Sequence, residues 1–142
     1  MANMSATKQD MRLRSTESEK ITINLGFVDL GHIDLLVKEG FYSNRSDFLR
    51  TAARNQLDRH ADAVKQSVTR RRLDLGLCHV TRRQLEALKA KGELLHIRVL
   101  GLAVIAPDVS AELALATIAS VQVLGSLQAS PAVKAALRQR TA

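Results

Sequence analysis

Residues 20–25 are Lys-Ile-Thr-Ile-Asn-Leu, and polar and apolar side chains alternate at all six positions. Alternation with a period of two predicts a half-buried β-strand that has one apolar and one polar face. A single strand leaves its backbone donors and acceptors without partners. No second strand of matching pattern follows within reach of a hairpin. We therefore expect this strand to pair with the same strand of a second copy of the chain.

The resulting two-stranded ribbon would bury its isoleucine and leucine side chains and expose Lys20, Thr22 and Asn24. A ribbon of this width fits the major groove of DNA. Lys20 suits the acceptors of guanine, Asn24 suits adenine, and Thr22 suits either a hydrogen bond or a thymine methyl group. We predict that these three residues contact DNA bases.

Two helices are expected after the strand. Leu30, Ile33, Leu36 and Val37 recur at helical spacing and predict a helix from about residue 28 to residue 39, ended by the glycine at position 40. A second helix should begin near residue 44. Its apolar stripe comprises Leu49, Ala52, Ala53, Leu57, His60 and Val64.

The order and spacing of these pieces resemble the ribbon-helix-helix domain of CopG-like and nickel-regulator-like transcription factors. The resemblance covers Lys20 to Leu57, and its most specific part is the block Gly40, Tyr42, Ser43, Arg45, Ser46, Asp47, Leu49 and Arg50. The sequence departs from the family at Gly26, near which the family usually has proline.

The resemblance implies an intertwined homodimer whose second helix aims its N-terminus at a DNA phosphate. Asn44, Arg45 and Ser46 are then the predicted phosphate contacts. Alternatively, Asn44 and Asp47 only cap the helix, and both interpretations can hold together. The predicted dimer core comprises Ile21, Ile23, Leu25, Leu30, Ile33, Val37, Leu49, Ala52, Ala53 and Leu57.

Composition favours a polyanionic partner. The 142 residues carry a net charge of +7, which suits nucleic acid or an anionic membrane surface, although a protein can also simply be basic. One cysteine excludes an intramolecular disulfide framework and fits a reducing compartment. No run of about 18 apolar residues and no secretory signal is present. We therefore expect a cytoplasmic, nucleoid-associated protein.

The predicted domains follow these changes in composition. Residues 1–18 are a flexible basic arm, 19–66 the ribbon-helix-helix domain, 67–80 a basic linker or helix extension, and 81–142 a C-terminal oligomerisation module. Further candidate phosphate contacts in the arm and linker are Arg12, Arg14, Arg70, Arg71 and Arg72, for which the alternative is a solvated surface.

The C-terminal module contains an internal repeat. Residues 97–113 align without a gap on residues 121–137, with glycine at 101 and 125 and proline at 107 and 131 in register. Each unit predicts a strand, a glycine-marked bend, a second short strand and a helical turn begun by proline. Repeat units bury their faces against neighbours, and about three are normally needed for stability. Because only two are visible, we expect pairing across a subunit boundary, or alternatively stacking of the two halves within one chain.

The predicted fold class is therefore α+β: a ribbon-helix-helix unit of one strand and two helices, followed by a small β-rich module. Before that repeat, Thr81 and Gln84 predict a capping box that opens a helix ended by Gly92.

No enzymatic motif is present, and we expect neither an enzyme nor a cofactor. Cys78, His79 and His96 do not reproduce the ligand pattern of the nickel-responsive subfamily, so ordinary partly buried residues are the favoured interpretation, with metal binding left open.

Three hypotheses for function remain. The favoured one is a DNA-binding transcriptional regulator, a repressor or autoregulator, that is a dimer through its N-terminal strand or a tetramer or larger assembly through its C-terminal module. The second is an antitoxin whose C-terminal part binds a toxin, and the third is a DNA-tethered scaffold that polymerises through its repeat.

Overall fold

The computed structural model describes residues 18–142, which divide into two compact units, Ser18–Ser67 and Val68–Ala142. The fold is mixed helix and sheet, as predicted, with all three strands in the second unit. Each unit is described by itself below.

The N-terminal unit is built from helices. Helix α1 spans Phe27–Lys38 and α2 spans Arg45–Arg59, close to the predicted positions. Gly40, at φ 85°, ends the first helix in the left-handed region that favours glycine. The predicted apolar stripe does not run along one continuous helix, because the helix breaks at His60 and α3 occupies Ala61–Arg71.

The C-terminal unit alternates strands and helices. Strand β1 spans Asp74–Val80, α4 Arg82–Lys91, β2 Leu95–Ile105, α5 Ala111–Thr117, β3 Ile118–Gln128 and α6 Pro131–Ala136, with a 3-10 turn at Arg138–Arg140. The three strands are parallel and lie in the order β1-β2-β3. Residues 67–80, expected as a linker or helix extension, thus hold the end of α3 and all of β1.

The strand register matches the spacing of the sequence repeat. Strands β2 and β3 pair Ile97 with Val121 and Gly101 with Gly125, residues that the repeat aligns. Strand β1 is a third strand in the same register, because Gly76 pairs with Gly101 as Gly101 pairs with Gly125. A third stacked strand supplies, within one chain, a neighbour that the sequence pattern alone did not reveal.

Two details of the predicted repeat unit are wrong. Each unit has a single strand that runs through its glycine, since pairing continues on both sides of Gly101. Pro131 does begin a helix, directly after its cap Ser130, but Pro107 does not. There a turn follows the proline, and α5 begins only after Ser110.

The core of this unit lies between one face of the sheet and the three helices. It is formed by Val80, Leu85, Ile97, Val99, Ala103, Ile105, Val109, Leu113, Ala114, Ile118, Val121, Val133 and Leu137. Each of these three helices begins at a hydroxyl cap, as predicted at Thr81: Thr81, Ser110 and Ser130 each accept a hydrogen bond from the amide three residues later. The caps fix where each strand gives way to its helix.

Candidate nucleic-acid interface

The predicted base-contacting segment forms neither helix nor strand in the single chain. Lys20, Thr22 and Asn24 are all exposed. Ile21 and Ile23, expected on the opposite face, are also exposed, at 82% and 57%. Within residues 18–142 this segment has no partner strand, so both of its faces are open to another molecule.

The apolar side of the N-terminal unit contains an open groove of about 330 Å³. The groove is lined by Leu25, Asp29, His32, Ile33, Leu36, Phe48 and Leu49. Ile33 is the one fully buried hydrophobic residue that the structure describes in this unit, at 5% exposure. A unit of this size normally buries a cluster of such residues, so its apolar surface remains largely uncovered in one chain.

The residues predicted to form the dimer core are only partly covered in one chain. Half-buried members are Leu25, Leu30, Val37 and Leu49, and exposed members are Ile21, Ile23, Ala52, Ala53 and Leu57. Sequence reasoning missed four further exposed apolar residues of this unit, Phe27, Val28, Leu35 and Phe41. Phe27 begins α1 and Phe41 lies in the turn after it, where a periodicity argument carries no signal.

The start of α2 is capped by its own side chains. Asn44 Oδ1 accepts a 2.8 Å hydrogen bond from the Asp47 amide, which confirms the predicted cap. The Asp47 carboxylate accepts from the amide and hydroxyl of Ser43, at 3.0 and 3.2 Å. The backbone amides of Arg45 and Ser46 belong to the first turn of α2, where an amide has no preceding helical carbonyl to accept its hydrogen bond. Ser46 is also exposed. Such amides attract anions.

The Arg45 side chain is already paired. Its guanidinium donates from Nε and Nη2 to the two carboxylate oxygens of Asp34, both at 2.8 Å. The hydrogen bond and charge of Asp34 raise the pKa of Arg45, and the same hydrogen bond lowers the pKa of Asp34. Sequence reasoning missed Asp34, because an ion pair across the turn between two helices has no local spacing signal.

The remaining basic candidates lie elsewhere along the chain. Arg70 and Arg71 end α3, and Arg72 follows it with a left-handed φ of 53°. All three are exposed. Arg12 and Arg14 lie outside the described residues.

The residues considered for metal binding lie on two neighbouring strands, Cys78 and His79 on β1 and His96 on β2. Cys78 packs against the core, and burial, with a smaller effect from Asp74, raises the pKa of its thiol. His79, the next residue along β1, is exposed. His96 hydrogen-bonds Ser120 on the neighbouring strand at 2.7 Å. Among residues 18–142 no group of three His, Cys, Asp or Glu side chains is placed to hold a metal ion.

Comparison with known families gives a match to the Ribbon-Helix-Helix transcriptional regulator family over residues 16–134. The match covers well over half of the chain. The chain belongs to this family. Ribbon-helix-helix regulators bind DNA and are usually dimers. No curated protein and no solved structure matched the chain.

The family match reaches further than the resemblance noted in the sequence. It extends past residue 57 through β1, β2 and β3 and into α6, so all three strands lie within the part of this ribbon-helix-helix regulator that matches its family. Among the described helices, each is too short or too polar to span a membrane.

Proposed function

We propose that this ribbon-helix-helix regulator is a sequence-specific repressor that reads double-stranded DNA with residues 20–25 of two copies. The observation that carries the proposal is the segment itself. Its polar residues Lys20, Thr22 and Asn24 are exposed, and its apolar residues Ile21 and Ile23 have no cover within the described chain. Pairing of two such segments would bury the isoleucines and present the polar row to the groove.

The uncovered apolar surface of the N-terminal unit supports a homodimer. The groove along α1 and α2 is open, and exposed Leu57, Ala52 and Ala53 continue the apolar surface along α2. Small alanines permit close approach of a second helix. Ile33 alone gives the unit little buried apolar area. Pairing with a second copy of the unit would bury more of its apolar surface.

Phosphate contacts would set the register of the ribbon on DNA. We assign this role to the first-turn amides at Arg45 and Ser46 and to the cap Asn44, which orders that turn. Arg45 would join them only by exchanging its ion pair with Asp34 for a phosphate. The exposed Arg70, Arg71 and Arg72, with Arg12 and Arg14, are further phosphate candidates.

The antitoxin hypothesis is less well supported. Antitoxin tails are commonly disordered until they bind their toxin. Residues 74–136 instead contain a three-stranded sheet and three helices around a buried core. We place the regulator in the cytoplasm, associated with the nucleoid, since its proposed ligand is chromosomal DNA.

The test is fluorescence anisotropy with DNA from upstream of the protein's own reading frame and with scrambled DNA, over a salt series. The proteins are wild type and the Thr22→Ala/Asn24→Ala double variant. Autoregulation by the ribbon predicts a preference for upstream DNA that the double variant loses, with a salt-sensitive remainder from phosphate contacts.

Equal binding of the two DNAs by wild type, unchanged in the double variant, would reject base recognition by the ribbon. It would mean that the net positive charge of the chain accounts for binding. Loss of all binding in the double variant would require circular dichroism to exclude unfolding before the result is interpreted.

A further inference from the structure

Three glycines occupy the same position on the three parallel strands. Gly76, Gly101 and Gly125 stand side by side in the sheet, with φ angles of 107°, 139° and 122°. A Cβ on Gly101 would overlap the carbonyl oxygen of Gly76, and a Cβ on Gly125 would overlap the carbonyl oxygen of Gly101. At both positions glycine is required because the preceding strand directs a carbonyl at the site.

Gly76 has the same backbone conformation without the same neighbour. It lies on β1, the edge strand, and a Cβ there would meet no atom of residues 18–142 within 4 Å. By the geometry of the other two glycines, the space beside Gly76 is where the carbonyl of another preceding strand would lie. The opposite edge of the sheet is β3, which carries Gly125. The Gly125 carbonyl corresponds to the carbonyls of Gly76 and Gly101, each of which approaches the glycine of the next strand.

We propose that β1 of one copy pairs in parallel with the outer edge of β3 of another copy, with Gly76 beside Gly125. A strand that pairs with the β1 edge must place a backbone carbonyl against Gly76, which has a positive φ. Strands β1 and β2 each place such a carbonyl against the glycine of the next strand in the sheet. The partner is therefore a second copy of this chain, joined through the C-terminal unit.

The part of β3 that begins at Val123 has the required length and position. Strand β1 pairs from Asp74 with Val99, and Val99 pairs with Val123, so a second copy's β1 would pair from Val123 onward. Among residues 18–142, the C-terminus of the chain contacts the preceding part of that edge, where the Ala142 amide donates to the Val121 carbonyl at 2.9 Å. This contact ends before the proposed pairing begins.

The sheet face opposite the helices would also continue across the contact. Leu75 pairs with Leu100 and Leu100 with Leu124, which forms a leucine row outside the core. Leu75 and Leu77 at the open edge are 72% and 70% exposed. A second copy would place its Leu75 beside Leu124 and reduce this exposure.

This contact joins two different surfaces, so it does not close on itself. Heterologous contacts of this kind build open rows of subunits, and stacked repeat units extend in one dimension. The inference concerns the C-terminal unit and does not depend on DNA binding.

Disulfide trapping tests the register. Leu77 pairs with Leu102 and Leu102 with Ser126, so the proposal places Leu77 of one copy beside Ser126 of the next. Full-length Leu77→Cys and Ser126→Cys variants would be made separately in a Cys78→Ala background and mixed under mild oxidation. We expect a disulfide-linked dimer in the mixture and none in either variant alone.

Three results would overturn the proposal. The first is the absence of the mixed disulfide when both proteins are folded. The second is a disulfide dimer of Leu77→Cys alone, which would show a symmetric contact between two β1 strands. The third is a disulfide dimer of Ser126→Cys alone. Circular dichroism of each variant establishes that it is folded.

Gly76→Ala provides the second test, with Gly92→Ala as its matched control. Both glycines have positive φ and open space around a Cβ, but Gly92 ends α4 and lies outside the proposed contact. By sedimentation velocity, wild type and Gly92→Ala should gain mass with concentration beyond a dimer, and Gly76→Ala should lose this gain. A fixed wild-type mass, or equal association of the two folded variants, would contradict the proposal.

Discussion

Arg45, the first residue of α2, donates two hydrogen bonds of 2.8 Å to the carboxylate of Asp34 on α1. The contact joins the two helices of the N-terminal unit next to the capped turn at Asn44. Both side chains remain just over half exposed, so solvent screens the pair. The same guanidinium is the side chain that the family resemblance assigns to a DNA phosphate, so we expect Asp34 and DNA to compete for it.

Acidification should remove the contribution of this pair to stability. The hydrogen bond from Arg45 lowers the pKa of Asp34 in the folded chain. A depressed folded pKa gives stabilisation that is complete above the unfolded pKa of aspartate and is lost as pH falls through the folded value. We expect Asp34→Asn to be slightly less stable than wild type at neutral pH, with the difference disappearing at acid pH. Urea unfolding across a pH series measures this, and a difference that persists in acid would contradict it.

Asp34→Asn should also change the salt dependence of DNA binding. Without its carboxylate partner, Arg45 can contact a phosphate throughout the bound lifetime. We expect the slope of log affinity against log salt concentration to steepen by about one. Asp62→Asn is the control, because it removes an equal charge from an exposed residue of α3. Equal slopes in the two variants would remove Arg45 from the phosphate contacts.

The N-terminal helices were predictable because their signals are local. The spacing of Leu30, Ile33 and Val37 marks α1, and Asn44 marks the start of α2 through a cap that needs only residues three apart. Interactions between helices were not predictable in this way. Asp34 and Arg45 are brought together by the turn that contains Gly40, and neither residue's immediate neighbours indicate the other.

The sheet was predicted incompletely for a different reason. The alignment of residues 97–113 with 121–137 identified two units, and the structure pairs those residues directly. Strand β1 was not predicted because the only residues it shares with its partners on β2 are Leu75, Gly76 and Leu77, which match Leu100, Gly101 and Leu102. An identity of three residues is too short to be significant in a sequence, yet in the sheet it places a third glycine beside Gly101.

Asn24→Ala should weaken binding to the cognate DNA while leaving scrambled DNA nearly unaffected. A bidentate contact from asparagine to adenine accounts for roughly 1–3 kcal/mol of discrimination, or about a tenfold to hundredfold loss of affinity. Asn55→Ala is the matched control, since Asn55 is an exposed residue of α2 that we assign no contact to DNA. Anisotropy titrations with both DNAs measure the two variants. Equal affinities for cognate DNA would exclude Asn24 from base recognition.

Gly101→Ala and Gly125→Ala should each destabilise the C-terminal unit more than Gly76→Ala does. All three substitutions place alanine at a φ between 107° and 139° and share that cost of backbone strain. Only at positions 101 and 125 does the new Cβ also overlap a backbone carbonyl, which cannot move without breaking the pairing of the strands. Overpacking of this kind costs roughly 1–3 kcal/mol beyond the shared strain.

Thermal unfolding of the three variants, followed by circular dichroism, separates these two costs. Among residues 18–142, no atom lies within 4 Å of a Cβ added at Gly76, so its variant reports the strain alone, whereas the Gly101 and Gly125 variants report strain and overlap together. We expect the Gly101 and Gly125 variants to unfold at lower temperature than Gly76→Ala. If all three unfolded at the same temperature, the close approach of the carbonyls would not be what requires glycine in this row, and positive φ alone would explain it.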